Sequence, residues 1–335
     1  MIRAYAATEA RGQLARFDYD PGTLGSDQVE IDVSACGLCH SDLSMLNNEW
    51  GMTAYPFVPG HEVVGTVAAV GGRVKNHMVG DTVGLGWVSA SCMTCPQCMG
   101  GDHNLCTHGE STIVHRHGGF ADKVRCNAAW AIALPAGLDP RKAGPLFCGG
   151  ITVFHPILDL GVKPTDRVGV IGLGGLGHLA VQFLNAWGCE VTAFTSSGGK
   201  HDEAVGMGAH KVVDSRDAGQ LDAIAGSLDF ILSTVNAPLD WGRYLSALAP
   251  RGRLHTVGAV LEPIPVPAFS LITGQKSVSG SPLGSPETIR KMLEFCTRHG
   301  IEPVTEFFPL SEANKALARL ESGKARYRIV LENDF

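Results

Sequence analysis

Val168-Gly-Val-Ile-Gly172-Leu-Gly174-Gly175-Leu-Gly177 is the stretch that decides the fold. A short apolar run enters a G-x-G-x-x-G turn, and residues 176–187 continue with helical periodicity. Strand, glycine turn and helix in that order read as a dinucleotide site, against a merely structural glycine turn. Gly172 permits the tight turn, Gly174 lets the backbone approach a pyrophosphate, and Gly177 allows close helix–strand packing. The pyrophosphate then rests at the positive end of the helix that begins near Leu176. Outward from this turn, residues 191–194, 211–213, 228–235 and 253–257 are apolar runs, and 202–207 is helical. Alternating strands and helices predict βαβ units and a parallel sheet. The second strand ends in Phe194-Thr195-Ser196-Ser197-Gly198-Gly199-Lys200, with no carboxylate to hold a ribose 2′-hydroxyl. Small hydroxyls and a lysine suit a 2′-phosphate, so the expected cofactor is NADP(H) rather than NAD(H). The competing reading is a solvated Ser/Gly loop.

The flanks have another texture. Residues 29–33, Val63–Val70 and 80–84 are short β-type segments broken by Gly and Pro, and Pro135 and Pro140 close that region. Beyond residue 286 come two amphipathic helical stretches, 287–299 and 311–321, then a strand-like run at 327–331. The chain has 335 residues, which at roughly 150 per domain predicts two domains. With 44% hydrophobic and 18% charged residues it is no disordered polymer. A net charge of −6 recommends neither a nucleic acid nor an anionic membrane as partner. The apolar stretch 168–189 carries six glycines, His178 and Gln182, and reads as strand–turn–helix rather than as a membrane span. The N-terminal residues show no secretory signal, so the expected location is the cytoplasm.

Ten cysteines sharpen the reading. Cys92-x2-Cys95-x2-Cys98-x7-Cys106 has the spacing of a closed tetrahedral zinc shell. Four thiolates leave no position for a substrate, so the expected role is structural. A Cys₄ set also serves iron–sulfur clusters. The bacterial ferredoxin run, however, has a shorter final gap and a proline after its last cysteine, whereas here Pro96 follows the second. Three further stretches hold metal-ligand types: Cys36-Gly-Leu-Cys39-His40-Ser41-Asp42, Pro59-Gly60-His61-Glu62 and Leu146-Phe147-Cys148-Gly149-Gly150. Singly, each is readily a buried thiol or a packed histidine. Together they supply two sulfurs and an imidazole, the Cys₂His set of a catalytic zinc with one open position. Spacing alone does not assemble them.

These stretches, with CGLCHSDL (36–43), YPFVPGHEVVGTV (55–67), CMTCPQC (92–98), GGFADKV (118–124), PLFCGGITVF (145–154), VIGLGGLGHLAVQ (170–182) and GSPLGS (280–285), resemble the zinc-dependent medium-chain alcohol dehydrogenases. The closer likeness is to their cinnamyl-alcohol-dehydrogenase-like branch, and it runs over essentially the whole chain in order. The resemblance implies an α/β chain with a β-rich GroES-like catalytic domain (1–149 and 282–335) and an inserted Rossmann domain (150–281), with the active site in the cleft between them. It implies Cys39, His61 and Cys148 as catalytic zinc ligands, and Glu62 as a glutamate that enters or leaves the metal sphere. Asp42 would orient His61, and Ser41 would take the substrate proton. His40 would contact the pyrophosphate and Thr152 would approach the nicotinamide. The cofactor residues implied are Gly172, Gly174, Gly175, Leu176, Gly177, Thr195, Ser196, Ser197, Lys200, Thr234, Val257, Gly258 and Ser281. Trp50 and Trp87 are candidates for the substrate wall, with ordinary packing as the alternative. The partners implied are a small alcohol or aldehyde and a second or further copies of the chain, as a homo-dimer or homo-tetramer. Cys36 is not expected to bind zinc.

Two departures stand out. The family often ends a proton relay in histidine five residues after the ligand matching Cys39, and here that residue is Ser44. The connection from Cys106 to Gly118 is also shorter than in the plant enzymes, so their substrate specificity does not transfer with the motifs. The reading is thus an NADP(H)-dependent zinc alcohol dehydrogenase with two zinc ions per chain. Against it stand a non-catalytic zinc and NADPH sensor, and a zinc-scaffolded interaction protein.

Overall fold

A computed structural model describes residues 1–196 and 198–335. It divides into two compact units, Met1–Ile151 with Leu283–Phe335, and Thr152–Pro282. The dividing points are 151/152 and 282/283, against expected boundaries at 149/150 and 281/282, because helix Gly149–Asp159 runs through the first crossing.

The first unit is built on strand Gln28–Leu38. Its first half alternates buried and exposed residues, as a strand with one wet face should, and from Ala35 onward every residue is buried. It pairs antiparallel with Val63–Val70 on one side and Arg328–Glu332 on the other. The sheet continues through Thr82–Leu85 to Ile132–Ala133 at one end and Thr305–Pro309 at the other, with Lys123–Asn127 also paired to Gln28–Leu38. The long strand then delivers its last buried residues directly into helix His40–Leu46. A separate loop carries the two-stranded ribbon of Val88–Ala90 with Glu110–Ser111, and the short helix Pro96–Gly100.

In the second unit the described strands form a parallel sheet in the order Lys211–Asp214, Glu190–Thr195, Arg167–Ile171, Leu228–Ser233, Leu248–Thr256, Ser277–Gly280. Numbered along the chain this is 3-2-1-4-5-6, the doubly wound dinucleotide-binding order. Its core gathers Ile171, Phe194, Ile231, Trp241, Tyr244 and Leu254. Helix Gly177–Trp187 follows the first strand directly. A Cβ on Gly177 would lie 1.8 Å from the Gly172 carbonyl oxygen, so only glycine lets this helix close on its strand. Gly172 itself is in a left-handed conformation, with φ +89.

Candidate active site

Cys39 follows the buried strand and caps helix His40–Leu46, where the Asp42 carboxylate accepts the Cys39 backbone N–H at 2.9 Å. Asp42 also accepts from the Gly60 backbone N–H at 2.8 Å and lies 2.9 Å from His61 Nδ1. One fully buried carboxylate therefore ties the Cys39 turn to the His61 turn. An ionised Asp42 requires the proton on Nδ1, which leaves the Nε2 lone pair facing Cys148 Sγ at 3.3 Å. Cys148 sits where the 3₁₀ turn Gly144–Phe147 becomes helix Gly149–Asp159. Its Sγ is 4.0 Å from that of Cys39.

Cys39, His61, Glu62 and Cys148 are all buried and offer donor atoms within 4.8 Å of one another. A tetrahedral ion with Zn–S of about 2.3 Å and Zn–N of about 2.0 Å sets S···S at about 3.8 Å and S···N at about 3.5 Å. The observed 4.0 and 3.3 Å bracket such an ion. Glu62 Oε2 is buried and lacks a hydrogen-bond partner among the described residues, which an ion at this point would satisfy. A Cβ on Gly37 would come within 2.0 Å of that same oxygen, so the glycine of Cys36-Gly37-Leu38 makes room for the carboxylate. Cys36 is buried but lies outside the donor group, and burial holds its thiol well up.

Arg328, 4% exposed, donates through Nη2 to Glu62 Oε1 and approaches Cys39 Sγ with Nη1 at 4.0 Å. Burial pushes the Glu62 carboxyl up to about 7 against the pull of that guanidinium. Burial also opposes the Arg328 charge, which Glu62, Cys39 and Cys148 hold in place. Sequence reading missed Arg328, although its signal was visible: a lone cation inside the apolar run 327–331.

Ser41 Oγ lies 3.8 Å from Cys39 Sγ, next to the donor group. Ser44 is turned elsewhere and donates to Glu49 Oε2 at 2.7 Å. Trp87 packs edge-on against His61 with ring centroids 5.0 Å apart, and Trp50 packs on Trp87 at 6.0 Å. Both indoles are half-buried, and His40 is exposed.

The second cluster is Cys92, Cys95, Cys98 and Cys106. Sγ separations of 4.0 Å (Cys92–Cys98) and 3.8 Å (Cys95–Cys106) match the same tetrahedral edge. The Cys92 sulfur accepts the Cys95 backbone N–H at 3.3 Å, and that of Cys106 accepts the Cys92 N–H at 3.4 Å. The donor set is complete without an outside ligand.

In the second unit the cofactor candidates gather at the carboxyl ends of the strands, the ligand side of such a sheet. Gly172–Gly177 follows the first strand, Thr195 ends the second, Thr234 follows the fourth, Val257 and Gly258 follow the fifth, and Ser281 follows the sixth. Thr234 donates to the Ile171 carbonyl at 2.8 Å and so braces the glycine turn. A Cβ on Gly174 would meet nothing within 4 Å. The fold does not demand glycine there, whereas a pyrophosphate against the backbone would. Lys200 Nζ donates to the Leu173 carbonyl at 2.7 Å, which links the expected 2′-phosphate loop to the glycine turn. Ser196 is exposed, and Ser197 lies outside the described residues. Thr152 is the first residue of this unit.

Residues 25–136 match the alcohol dehydrogenase GroES-like domain family, and residues 175–298 match the zinc-binding dehydrogenase family. The aldehyde reductase AdhA of Synechocystis sp. is 59% identical over 333 residues, covering 99% of both chains. A cinnamyl alcohol dehydrogenase structure from Sorghum bicolor superposes with a TM-score of 0.95 at 39% identity, over 99% of this chain and 97% of that one. That of a Helicobacter pylori cinnamyl alcohol dehydrogenase complexed with NADP(H) gives a TM-score of 0.91 at 30% identity, over the same shares.

Proposed function

The chain belongs to the zinc-binding, GroES-like alcohol dehydrogenase family and is a zinc-dependent alcohol dehydrogenase or aldehyde reductase, and from that premise we propose that it exchanges hydride between NADP(H) and a primary alcohol or aldehyde. The observation that carries this is the buried Cys39–His61–Cys148 group with Glu62, its imidazole aimed by Asp42. When bound, zinc supplies Lewis-acid polarisation of the substrate oxygen, and the nicotinamide supplies or takes the hydride. Cys39, His61 and Cys148 hold the ion. Asp42 keeps His61 in the ligating tautomer, and Arg328 holds one oxygen of Glu62. Ser41 accepts the substrate hydroxyl proton during oxidation as it passes its own hydroxyl proton to water, and the transfers run in reverse during reduction. Trp50 and Trp87 wall the substrate side, and two flat indoles suit an aromatic or medium-chain carbonyl compound. Cys92, Cys95, Cys98 and Cys106 hold a second, structural zinc.

Lys200, Ser196 and Ser197 receive the 2′-phosphate, and Gly172, Gly174, Gly175, Leu176 and Gly177 receive the pyrophosphate; the family resemblance assigns His40 to the pyrophosphate as well. Thr152, Thr195, Thr234, Val257, Gly258 and Ser281 complete the cofactor contacts. The NADP(H) in the Helicobacter pylori relative supports this choice. The same chain is expected to form a homo-dimer or homo-tetramer. Ser277–Gly280 ends the parallel sheet, and Leu261, Phe269 and Ile272 are exposed in the segment before it. No helix among the described residues is long and apolar enough to cross a membrane. Two thiolate-rich metal sets suit the reducing cytoplasm.

The test is a panel of aromatic and aliphatic aldehydes assayed with NADPH and with NADH. NADPH is expected to give at least about ten-fold higher kcat/KM, the size of one charged hydrogen bond to the 2′-phosphate. Lys200→Ala is expected to remove most of that preference. Equal kcat/KM for the two cofactors would refute the reading of the 195–200 loop, and no turnover with any aldehyde or alcohol would refute the reaction.

A further inference from the structure

His255 stands one residue before the carboxyl end of strand Leu248–Thr256 and is 1% exposed. Opposite it in register is Ser279 of the edge strand Ser277–Gly280. The imidazole spans two hydroxyls: Nδ1 is 2.8 Å from Ser279 Oγ, and Nε2 is 2.9 Å from Ser281 Oγ. The Phe230 ring stacks on it, with centroids 6.3 Å apart and planes at 26°. Burial pushes its pKa down to about 4, so the ring is neutral. A neutral imidazole has one N–H and one lone pair, and it therefore donates to one serine and accepts from the other.

The sheet does not need a histidine here. On the same face, the neighbouring strand places Leu232 opposite His255, and backbone pairing already fixes 255 against 279. That ladder stops at Thr256 and Gly280. Ser281 lies one residue beyond it, where the His255 side chain replaces the missing backbone bonds. Ser281 is also on the ligand side of the sheet. The order reverses at the first strand, so the two mononucleotide halves of a dinucleotide fall on opposite sides of it. The 2′-phosphate loop follows the second strand, which leaves the nicotinamide half to the fourth, fifth and sixth.

We propose that His255 is a positioning residue for the nicotinamide half of the cofactor, holding Ser281 in the attitude that meets it through the paired bonds to Ser279 and Ser281. This rests on the reading of Ser281 as a cofactor contact. The ring is never charged near neutral pH, so it orients Ser281 without adding a cation that would oppose a nicotinamide carrying positive charge in its oxidised form.

The experiment measures NADPH and 2′,5′-ADP affinity, zinc content and Tm for zinc-loaded wild type, Ser281→Ala, His255→Leu, His255→Asn, His255→Gln and the double variant His255→Leu/Ser281→Ala. Ser281→Ala and His255→Leu are each expected to weaken NADPH about five-fold, the size of a neutral hydrogen bond. The double variant should lose no more than the larger single, because both changes break one interaction. His255→Gln, which keeps a donor and an acceptor at similar reach, should recover most of the loss. 2′,5′-ADP, which lacks the nicotinamide half, should bind all variants alike. Should His255→Leu fail to fold, the shorter but polar His255→Asn carries the same expectation. Wild-type NADPH affinity in a folded His255→Leu or His255→Asn, with Ser281→Ala weakened, would overturn the positioning role while leaving Ser281 a contact. Additive losses, or equal losses for 2′,5′-ADP, would overturn it as well. An unaffected Ser281→Ala would show that the reading of Ser281 has failed, and the proposal with it.

Discussion

Cys92, Cys95, Cys98 and Cys106 come from one loop, whereas Cys39, His61, Glu62 and Cys148 come from three separated stretches of the same unit. The loop set takes hydrogen bonds from its own backbone N–H groups and the Thr94 hydroxyl, and three of its four cysteines are partly exposed. The separated set is wholly buried and ringed by Asp42, Arg328 and Trp87. The contrast marks a division of labour. A local set depends on its ion for shape, because a short polar loop buries too little to fold alone. A dispersed set is shaped by the sheet before any ion arrives, so its ion is free to serve chemistry through an open position.

Removing one ligand from each set separates the two roles. His61→Ala is expected to lower kcat by at least about 10³, given that Lewis-acid polarisation is worth several kcal/mol. It should leave one zinc per chain and the fold intact. Cys98→Ser is expected to do the reverse, lowering Tm and releasing the zinc of the Cys92–Cys106 loop while the molecules still folded keep most of their turnover. Kinetics, elemental analysis and thermal unfolding on both variants check the pair. A Cys98→Ser enzyme that folds normally but turns over as poorly as His61→Ala would erase the distinction.

Ser41→Ala is next in size. Positioned proton transfer contributes about 10²–10⁴, so kcat should fall at least 10²-fold or so with both zinc ions retained. Wild-type turnover, measured where chemistry limits the rate, would leave proton loss to solvent as the route.

A smaller contrast lies within the loop set once zinc is stripped. Backbone N–H groups of Thr94 and Cys95 draw the Cys92 thiol down to about 5, and burial pushes that of Cys98 up to about 12. At pH 7 the first is thiolate and the second is thiol. The higher intrinsic nucleophilicity of the more basic sulfur offsets part of that difference. Alkylation followed by mass spectrometry should still find Cys92 modified at least about ten-fold faster than Cys98, with the advantage shrinking as pH rises toward 12 and the Cys98 thiol ionises. Ser44→Ala should change kcat least of all, because the Ser44 hydroxyl is committed to Glu49 and water can replace it.

How much of this was legible in the sequence follows the same contrast. The loop set could be read from spacing, since its ligands are close along the chain. The glycine turn was legible because its glycines are close along the chain and answer local demands, Gly177 that of the Gly172 carbonyl and Gly174 that of a ligand rather than of the fold. Cys39, His61 and Cys148 were legible only through resemblance, because a sheet and not a spacing brings them together. Arg328 went unread because its partners are more than 250 residues away along the chain, as the Arg328–Glu62 separation of 266 shows. His255 went unread for a related reason: nothing local distinguishes a strand histidine that clamps a neighbouring strand from one that merely packs.

The most direct test of the central claim is graded chelation of the purified protein, with zinc content, activity and circular dichroism followed together. Two zinc ions per chain are expected at the start. Activity should disappear with the first, while the spectrum holds until the second leaves the Cys92–Cys106 loop. A single zinc per chain, any iron, or activity that survives loss of the first ion and falls only with the second would contradict it.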